Sequence, residues 1–307
     1  MKKNNTRRTA KRLLAMAAAV LLAATIFAPA ANAATTECAT KYPIVLVHGA
    51  GFRDINVVIN YWGRIPHYLT DRGARIYYGG TDGWCSIEQG AADLKAAVER
   101  TLAATKADKV NIIAHSKGGL EARYMISSLG MADKVASLTM VSTPNGGSKS
   151  MDLITQLVPA FLLRGVGVAA NVIRFVWGDR HPDFYAGITS LNTGYMAAFN
   201  QKNPDKDGVY YQSFAGELPM PANDIILALT SAVIRDVEGA NDGMVTVESA
   251  KWTNFRGVLR GTGSRGVSHL DEVDFRRSDF AIEPVLGATT IRAFYAAVVV
   301  DLKAKGY

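Results

Sequence analysis

Short continuous apolar runs alternate along the chain with segments whose apolar residues recur every three or four positions, which predicts strands separated by helices. The first run, Tyr42-Pro43-Ile44-Val45-Leu46-Val47, ends at His48-Gly49 and has no polar face, as a strand covered on both sides requires. Between Asn60 and Leu69, Trp62, Ile65 and Leu69 share one helical face, and Gly73 stops the helix. Ala74 to Tyr78 reads as the next strand. Ala91, Leu94, Val98 and Leu102 then recur at helical spacing between Ser86 and Ala104. Val110 to Ala114 is a strand, followed by a helix through Leu120, Tyr124 and Met125. Val135 to Val141 and Tyr210 to Ala215 add two strands, and Ile291, Phe294, Tyr295, Val298 and Leu302 mark a C-terminal helix. This order predicts an α/β fold: a mostly parallel sheet with helices on both faces. No repeat or low-complexity linker interrupts it, so residues 34–307 read as one domain.

Two segments break the rhythm. Residues 1–33 carry Lys2, Lys3, Arg7, Arg8, Lys11 and Arg12, then an apolar run from Leu13 to Phe27, then Ala31-Asn32-Ala33. A basic head, a short apolar core and small residues at the end describe a secretory signal peptide cleaved near Ala33. A permanent anchor fits less well, because the run is short of the roughly 20 apolar residues that span a bilayer and Pro29 follows closely. Arg7-Arg8 lacks the close apolar pair of a twin-arginine signal, and Cys38 lacks a lipoprotein lead-in. Of 34 basic and 27 acidic residues, six basic and no acidic ones precede Ala34, leaving 28 against 27. The processed chain is therefore near neutral, which argues against nucleic acid as a partner.

The second segment, Leu153 to Trp177, is strongly apolar, with Arg164 and Arg174 as its only charges. It is either a helix pair packed into the core or, within residues 151–182, a lid that presents apolar surface to a greasy substrate. Its Gly165-x-Gly167 resembles the start of a dinucleotide loop, but no strand and tight turn clearly precede it, which argues against that reading. Cys38 and Cys85 are the only cysteines. An isolated pair in an oxidising compartment predicts a disulfide between them, closing a loop worth about 4 kcal/mol.

Chemistry concentrates at Ala114-His115-Ser116-Lys117-Gly118, between a strand and a helix. A serine at such a sharp turn exposes its hydroxyl, and the residues two before and two after must be small. Ala114 and Gly118 meet that demand. The hydroxyl needs a base, and the chain has five histidines. His48 ends a strand, His67 precedes the serine, His115 abuts it and His181 stands before Pro182. His269, late in the chain, remains. The orienting carboxylate belongs between serine and histidine, where Asp242 in Gly239-Ala240-Asn241-Asp242-Gly243 occupies a turn expected to follow a strand. Asp224, Asp236 and Glu238 are its competitors. The oxyanion donors are the amide of Lys117 at the helix N-terminus and one from the loop His48-Gly49-Ala50-Gly51. The Lys117 side chain is expected in solvent.

Five ordered stretches carry a resemblance: Tyr42 to Gly49, Ala114-His-Ser-Lys-Gly-Gly119, Ser142-Thr-Pro-Asn-Gly-Gly-Ser148, Asn241-Asp-Gly-Met-Val245 and His269-Leu-Asp-Glu-Val273. In this order they resemble bacterial secreted triacylglycerol lipases of the Pseudomonas/Burkholderia type. The resemblance implies an α/β-hydrolase fold, a triad of Ser116, Asp242 and His269, oxyanion donors at Ala50 and Lys117, and a lid over the apolar segment. The partner it implies is a lipid or other ester, met at a lipid–water interface. The chemistry requires no cofactor. The resemblance also implies a structural calcium near His269, with Asp271 at one ligand position, whereas Phe275 stands where a later side-chain ligand is expected. Ala50 is smaller than the bulky residue usual after His-Gly in those enzymes. A polyester depolymerase or an acyltransferase would use the same triad, and a non-catalytic binding module would use none of it.

Overall fold

The apolar runs become six strands of one sheet in a computed structural model that describes residues 35–51, 60–176 and 178–307. They are β1 (Ile44–Val47), β2 (Ile76–Tyr78), β3 (Val110–His115), β4 (Val135–Val141), β5 (Tyr210–Glu217) and β6 (Phe255–Arg260). Their spatial order is β2-β1-β3-β4-β5-β6, and every neighbouring pair is parallel. The chain steps from β1 outward to β2 and then returns to the other side of β1 with β3. Ligands bind at such a switch point, beyond the carboxyl ends of the strands. Residues Thr36–Tyr307 form one compact unit, and the expected signal peptide lies outside the described residues.

Helices cover both faces, as buried strands require. Ile44 and Leu46 of β1 point to the layer of α1 (Ile65–Thr70) and the last helix, α10 (Ile291–Ala304), through Ile65, Leu69, Phe294, Tyr295 and Val298. Val45 and Val47 point the other way, to Ala91, Leu94 and Val98 of α2 (Ile87–Thr105) and Ala122 and Met125 of α3 (Lys117–Ser127). The apolar phase along the sequence thus assigns each side chain to its layer. Ser86 caps α2 by accepting a hydrogen bond from the Gln89 amide at 3.1 Å. The expected helix from Asn60 is shorter than its apolar face. Residues 61–64 are turns, and Pro66 stands in the first helical turn, where proline is pre-set for a helix start.

The apolar segment resolves into α4 (Lys149–Leu157) and α5 (Ala160–Val176), bent by 107° between Leu157 and Ala160. Its side chains do not fill the core: Leu157, Phe161, Val168 and Phe175 are all exposed. Trp177 is outside the described residues. Two short helices, α6 (Phe184–Thr189) and α7 (Thr193–Lys202), lead to β5; α8 (Ala228–Glu238) and α9 (Val247–Ala250) lie between β5 and β6.

The expected Cys38–Cys85 bridge is corrected here, since both are free, buried thiols. Cys38 belongs to the α10 layer, its Sγ 4.0 Å from the Ala296 carbonyl oxygen, whereas Cys85 Sγ lies 3.6 Å from Lys117 Nζ on the other side of the sheet. Burial raises the Cys38 thiol to about 11 and the Cys85 thiol to about 12, far from the thiolate that disulfide exchange needs.

Candidate active site

At the carboxyl end of β3 the backbone turns abruptly into α3, and Ser116 at the junction has φ 55° and ψ −134°. That left-handed strain is held because neighbours leave no alternative. Ser116 N donates to the Val141 carbonyl at the end of β4 (3.0 Å). A Cβ at Gly118 would stand 2.4 Å from the His48 carbonyl oxygen, and one at Gly119 would stand 2.0 Å from Thr143 Oγ1. The small residues are therefore a packing requirement, with the helix pressed onto the end of β1. Gly49 is under the same constraint, since its Cβ would fall 2.6 Å from both Ser116 Cβ and the Tyr61 hydroxyl.

His269 and Asp242 come together although 27 residues separate them. His269 Nδ1 lies 2.7 Å from Asp242 Oδ2, and the His269 amide donates to the Asp242 carbonyl at 2.8 Å. Both loops are tied to the end of β5: Val267 N donates to Glu217 O, and Leu218 N to Asn241 O, each at 2.8 Å. Asp242 Oδ1 accepts from the amides of Met244 and Val245, both at 2.8 Å. Burial works against this carboxylate, but the His269 ring and the two amides outweigh it and hold the acid below the usual range. Asp242 follows helix α8 rather than a strand as expected, because a 24-residue excursion leaves the end of β5 and returns to it.

A second buried layer lies beneath, which the sequence reading missed. Glu272 accepts from Ser142 Oγ at 2.7 Å, and its other oxygen lies 2.8 Å from His115 Nε2. His115 Nδ1 is 2.6 Å from the Tyr61 hydroxyl, and its ring lies 4.3 Å, centroid to centroid, from that of His269. Glu272 is wholly buried, with Oε2 4.0 Å from His269 Nδ1. Burial first, and Asp242 second, push its carboxyl well above the ordinary range, which favours the neutral acid. Burial and the neighbouring His269 likewise push His115 well below its ordinary value, toward the neutral ring. One signal was available: Glu272 is three residues after His269, the spacing that returns a side chain to the same side of a helical turn.

Lys117 requires a second correction. Its side chain is buried, not solvated, and pairs with Glu121 one turn along α3. Burial alone would lower the ammonium group, but Glu121 and Cys85 raise it and keep it charged. The competitors for the acid sit elsewhere. Glu238, the last residue of α8, accepts from Ser148 Oγ (3.0 Å) and from the amide and hydroxyl of Ser150 (both 2.8 Å), clamping α8 to the start of α4. Asp224 pairs with Arg276 at 2.5 Å.

A cavity of about 390 Å³ opens above Ser116, with Ala50 and Lys117 also in its lining. Its walls are Met151 and Ile154 of α4 and Leu229, Val233 and Ile234 of α8, closed by Pro144 and Val245. Ile154, Leu229, Val233 and Met244 are exposed at the mouth while lining the cavity, so the apolar surface runs continuously from solvent to the serine. A pocket of this size and polarity accepts an apolar ligand with one polar end.

Residues 41–143 match the family model described as lipase (class 2). Over 288 residues the chain is 31% identical to a triacylglycerol lipase of Vibrio cholerae, covering 83% of this chain and 89% of that protein. It is 37% identical over 202 residues to a triacylglycerol lipase of Burkholderia plantarii, covering 62% of this chain and 55% of that one. Among solved structures, Staphylococcus hyicus lipase superposes with a TM-score of 0.64 at 16% identity, over 87% of this chain and 97% of that one. The mature lipase BlEst2 of Bacillus licheniformis gives 0.57 at 18%, over 77% and 88%. At those identities the structural matches speak for the α/β-hydrolase fold alone.

Proposed function

Since the chain belongs to the bacterial lipase family and is an ester-hydrolysing enzyme, we propose that it cleaves triacylglycerols through Ser116, His269 and Asp242. The observation that carries this reading is the 2.7 Å hydrogen bond between His269 Nδ1 and Asp242 Oδ2, with the His269 ring 4.3 Å from that of His115, the residue before the strained serine that lines an apolar cavity. The bond commits Nδ1 to the carboxylate and leaves Nε2 to serve as base.

Ser116 Oγ attacks the ester carbonyl carbon as its proton passes to Nε2 of His269, and Asp242 steadies the imidazolium. The carbonyl oxygen, now carrying the negative charge, is held by the amides of Ala50 and Lys117. The Lys117 amide stands in the first turn of α3, where helix dipole and unpaired N–H groups favour an anion. The imidazolium then protonates the departing alcohol. Water, activated by the same histidine, releases the fatty acid and restores Ser116. The helices α4 and α5, which begin two residues before the expected span 151–182 and end inside it, act as the lid, and their exposed apolar faces meet the lipid surface. The basic and apolar character of residues 1–33 supports export, followed by action outside the cytoplasm.

Ser116→Ala is the test. It is expected to abolish both hydrolysis of p-nitrophenyl butyrate and labelling by a fluorophosphonate, with an unchanged circular dichroism spectrum. Full activity in that variant would overturn the assignment.

A further inference from the structure

The turn that carries His269 is braced by a cation that the chain itself supplies. Ser268 and Asp271 bracket His269 reciprocally: Ser268 N lies 3.3 Å from Asp271 Oδ2, and Asp271 N lies 3.3 Å from Ser268 Oγ. The remaining oxygen, Asp271 Oδ1, faces the guanidinium of Arg276, with Nη1 3.5 Å away. Nη2 of the same group lies 2.5 Å from Asp224 Oδ1. Asp224 belongs to the turn that leads into α8, where its Oδ1 accepts from the amides of Ile226 (3.1 Å) and Leu227 (3.2 Å). Arg265 Nη2 adds a second cation, 3.5 Å from Asp271 Oδ1. Both carboxylates are buried, and the Arg276 side chain is only 27% exposed.

The resemblance to Pseudomonas/Burkholderia lipases implies a calcium near the histidine with Asp271 as a ligand, and the donor set here does not fit one. Calcium takes about six to eight oxygens at roughly 2.3–2.6 Å. The outward oxygen of Asp271 instead meets two guanidinium groups, one of which already bridges to Asp224, and Phe275 offers no side-chain oxygen. A divalent ion between the two carboxylates would have to displace Arg276 or sit against its charge.

We propose that Arg276 takes the place of a structural divalent cation, its guanidinium bridging Asp224 and Asp271 to fix the His269 turn against the turn that starts α8. Arg276 is a positioning residue. It reaches no reacting atom, and acts through Asp271 and Ser268 on the ring that they flank. The stability part of this inference stands whatever His269 does; only its activity part rests on His269 as the base.

Thermal unfolding and p-nitrophenyl butyrate hydrolysis, each with EDTA and with about 5 mM calcium, magnesium or ionic-strength-matched sodium chloride, test the proposal. The native chain is expected to keep its Tm and kcat in EDTA and to gain nothing from calcium. Arg276→Gln is expected to lower Tm by on the order of 3–6 °C and kcat about tenfold with little change in KM. Calcium, and not sodium, should restore both by entering between the freed carboxylates. A native chain that loses Tm in EDTA and regains it with calcium would overturn the proposal, and that arm needs no variant to fold. An Arg276→Gln protein equal to the native one, or destabilised without any response to calcium, would also overturn it.

Discussion

The polar floor of the cavity and its apolar cover solve opposite problems. Below Ser116, two histidines, two acids, a tyrosine and a serine are buried from solvent, joined by hydrogen bonds of 2.6–2.8 Å. Above it, α4, α5 and α8 hold Leu157, Phe161, Phe175 and Leu229 out in solvent. Burial of polar groups is tolerated only when each finds a partner, so the floor is rigid and its geometry is set before a substrate arrives. Exposure of large apolar groups costs free energy in water, and a surface that keeps them is specified by what it will meet. The difference separates chemistry from recognition: rate should respond to the floor, and choice of substrate form to the cover.

The largest expected effect comes from the floor. Asp242→Asn keeps the size of the side chain, and an amide oxygen can still accept from Met244 and Val245. Its nitrogen then faces His269 Nδ1, which forces the ring into the tautomer with the proton on Nε2. That tautomer cannot accept from Ser116. A fall in kcat of about 10³–10⁴ is expected at nearly constant KM, on soluble and emulsified esters alike. Equal activity would show that the carboxylate does not set the tautomer.

Substitution in the cover should separate those two substrate forms. Phe161→Ser with Phe175→Ser removes two exposed rings from α5, each worth about 1.5–3 kcal/mol when fully buried in an apolar phase. With the two rings about half buried at the interface, worth together roughly 2–3 kcal/mol, hydrolysis of a triolein emulsion is expected to fall about 30- to 100-fold, while dissolved p-nitrophenyl butyrate is turned over at nearly the native rate. A parallel loss on both substrates would erase the division between floor and cover.

How much of this was legible depends on whether a residue's environment is local. Five of the six strands and the sharp strand-to-helix turn at Ser116 were readable, because apolar phase and small-residue spacing are properties of short windows. Strand β6, Phe-Arg-Gly-Val-Leu-Arg, was not: it lies at the sheet edge, only Leu259 in it is buried, and its two arginines and glycine mask the pattern. Lys117 reads as a solvated charge, although Glu121 four residues on was a visible partner. Glu272 carries no local signal of burial, and meets its partners Ser142 and His115 across 130 and 157 residues of sequence. The cysteine pair shows the opposite error: two thiols in a chain expected to be exported suggest a bond, but the fold assigns them to separate layers. Sequence spacing carries the chemistry of the elbow. Convergence of distant charges has to be seen.

The smallest effect tests whether the floor is as fully neutralised as its burial demands. Two carboxyl groups flank His269 Nδ1, Asp242 at 2.7 Å and Glu272 at 4.0 Å, and burial together with Asp242 pushes the second well above the ordinary carboxylate range. In the unfolded chain a glutamate ionises near pH 4.3. Between that value and the raised value in the fold, the native state keeps a proton that the unfolded state has lost. The stabilisation from Glu272 is therefore complete below about pH 4.3 and declines as pH rises toward its folded value. Asp242, with its carboxyl depressed, contributes in the opposite sense: its stabilisation is present above the unfolded aspartate value and is lost in acid. Glu272→Gln removes only the first contribution. Urea unfolding at pH 5, 6, 7 and 8 should show native stability falling relative to the variant, by at most about 1.4 kcal/mol per pH unit. Parallel curves would mean that Glu272 is ionised in the fold, so that two charges face one imidazole and the floor carries a buried net charge that the apolar cover must then shield.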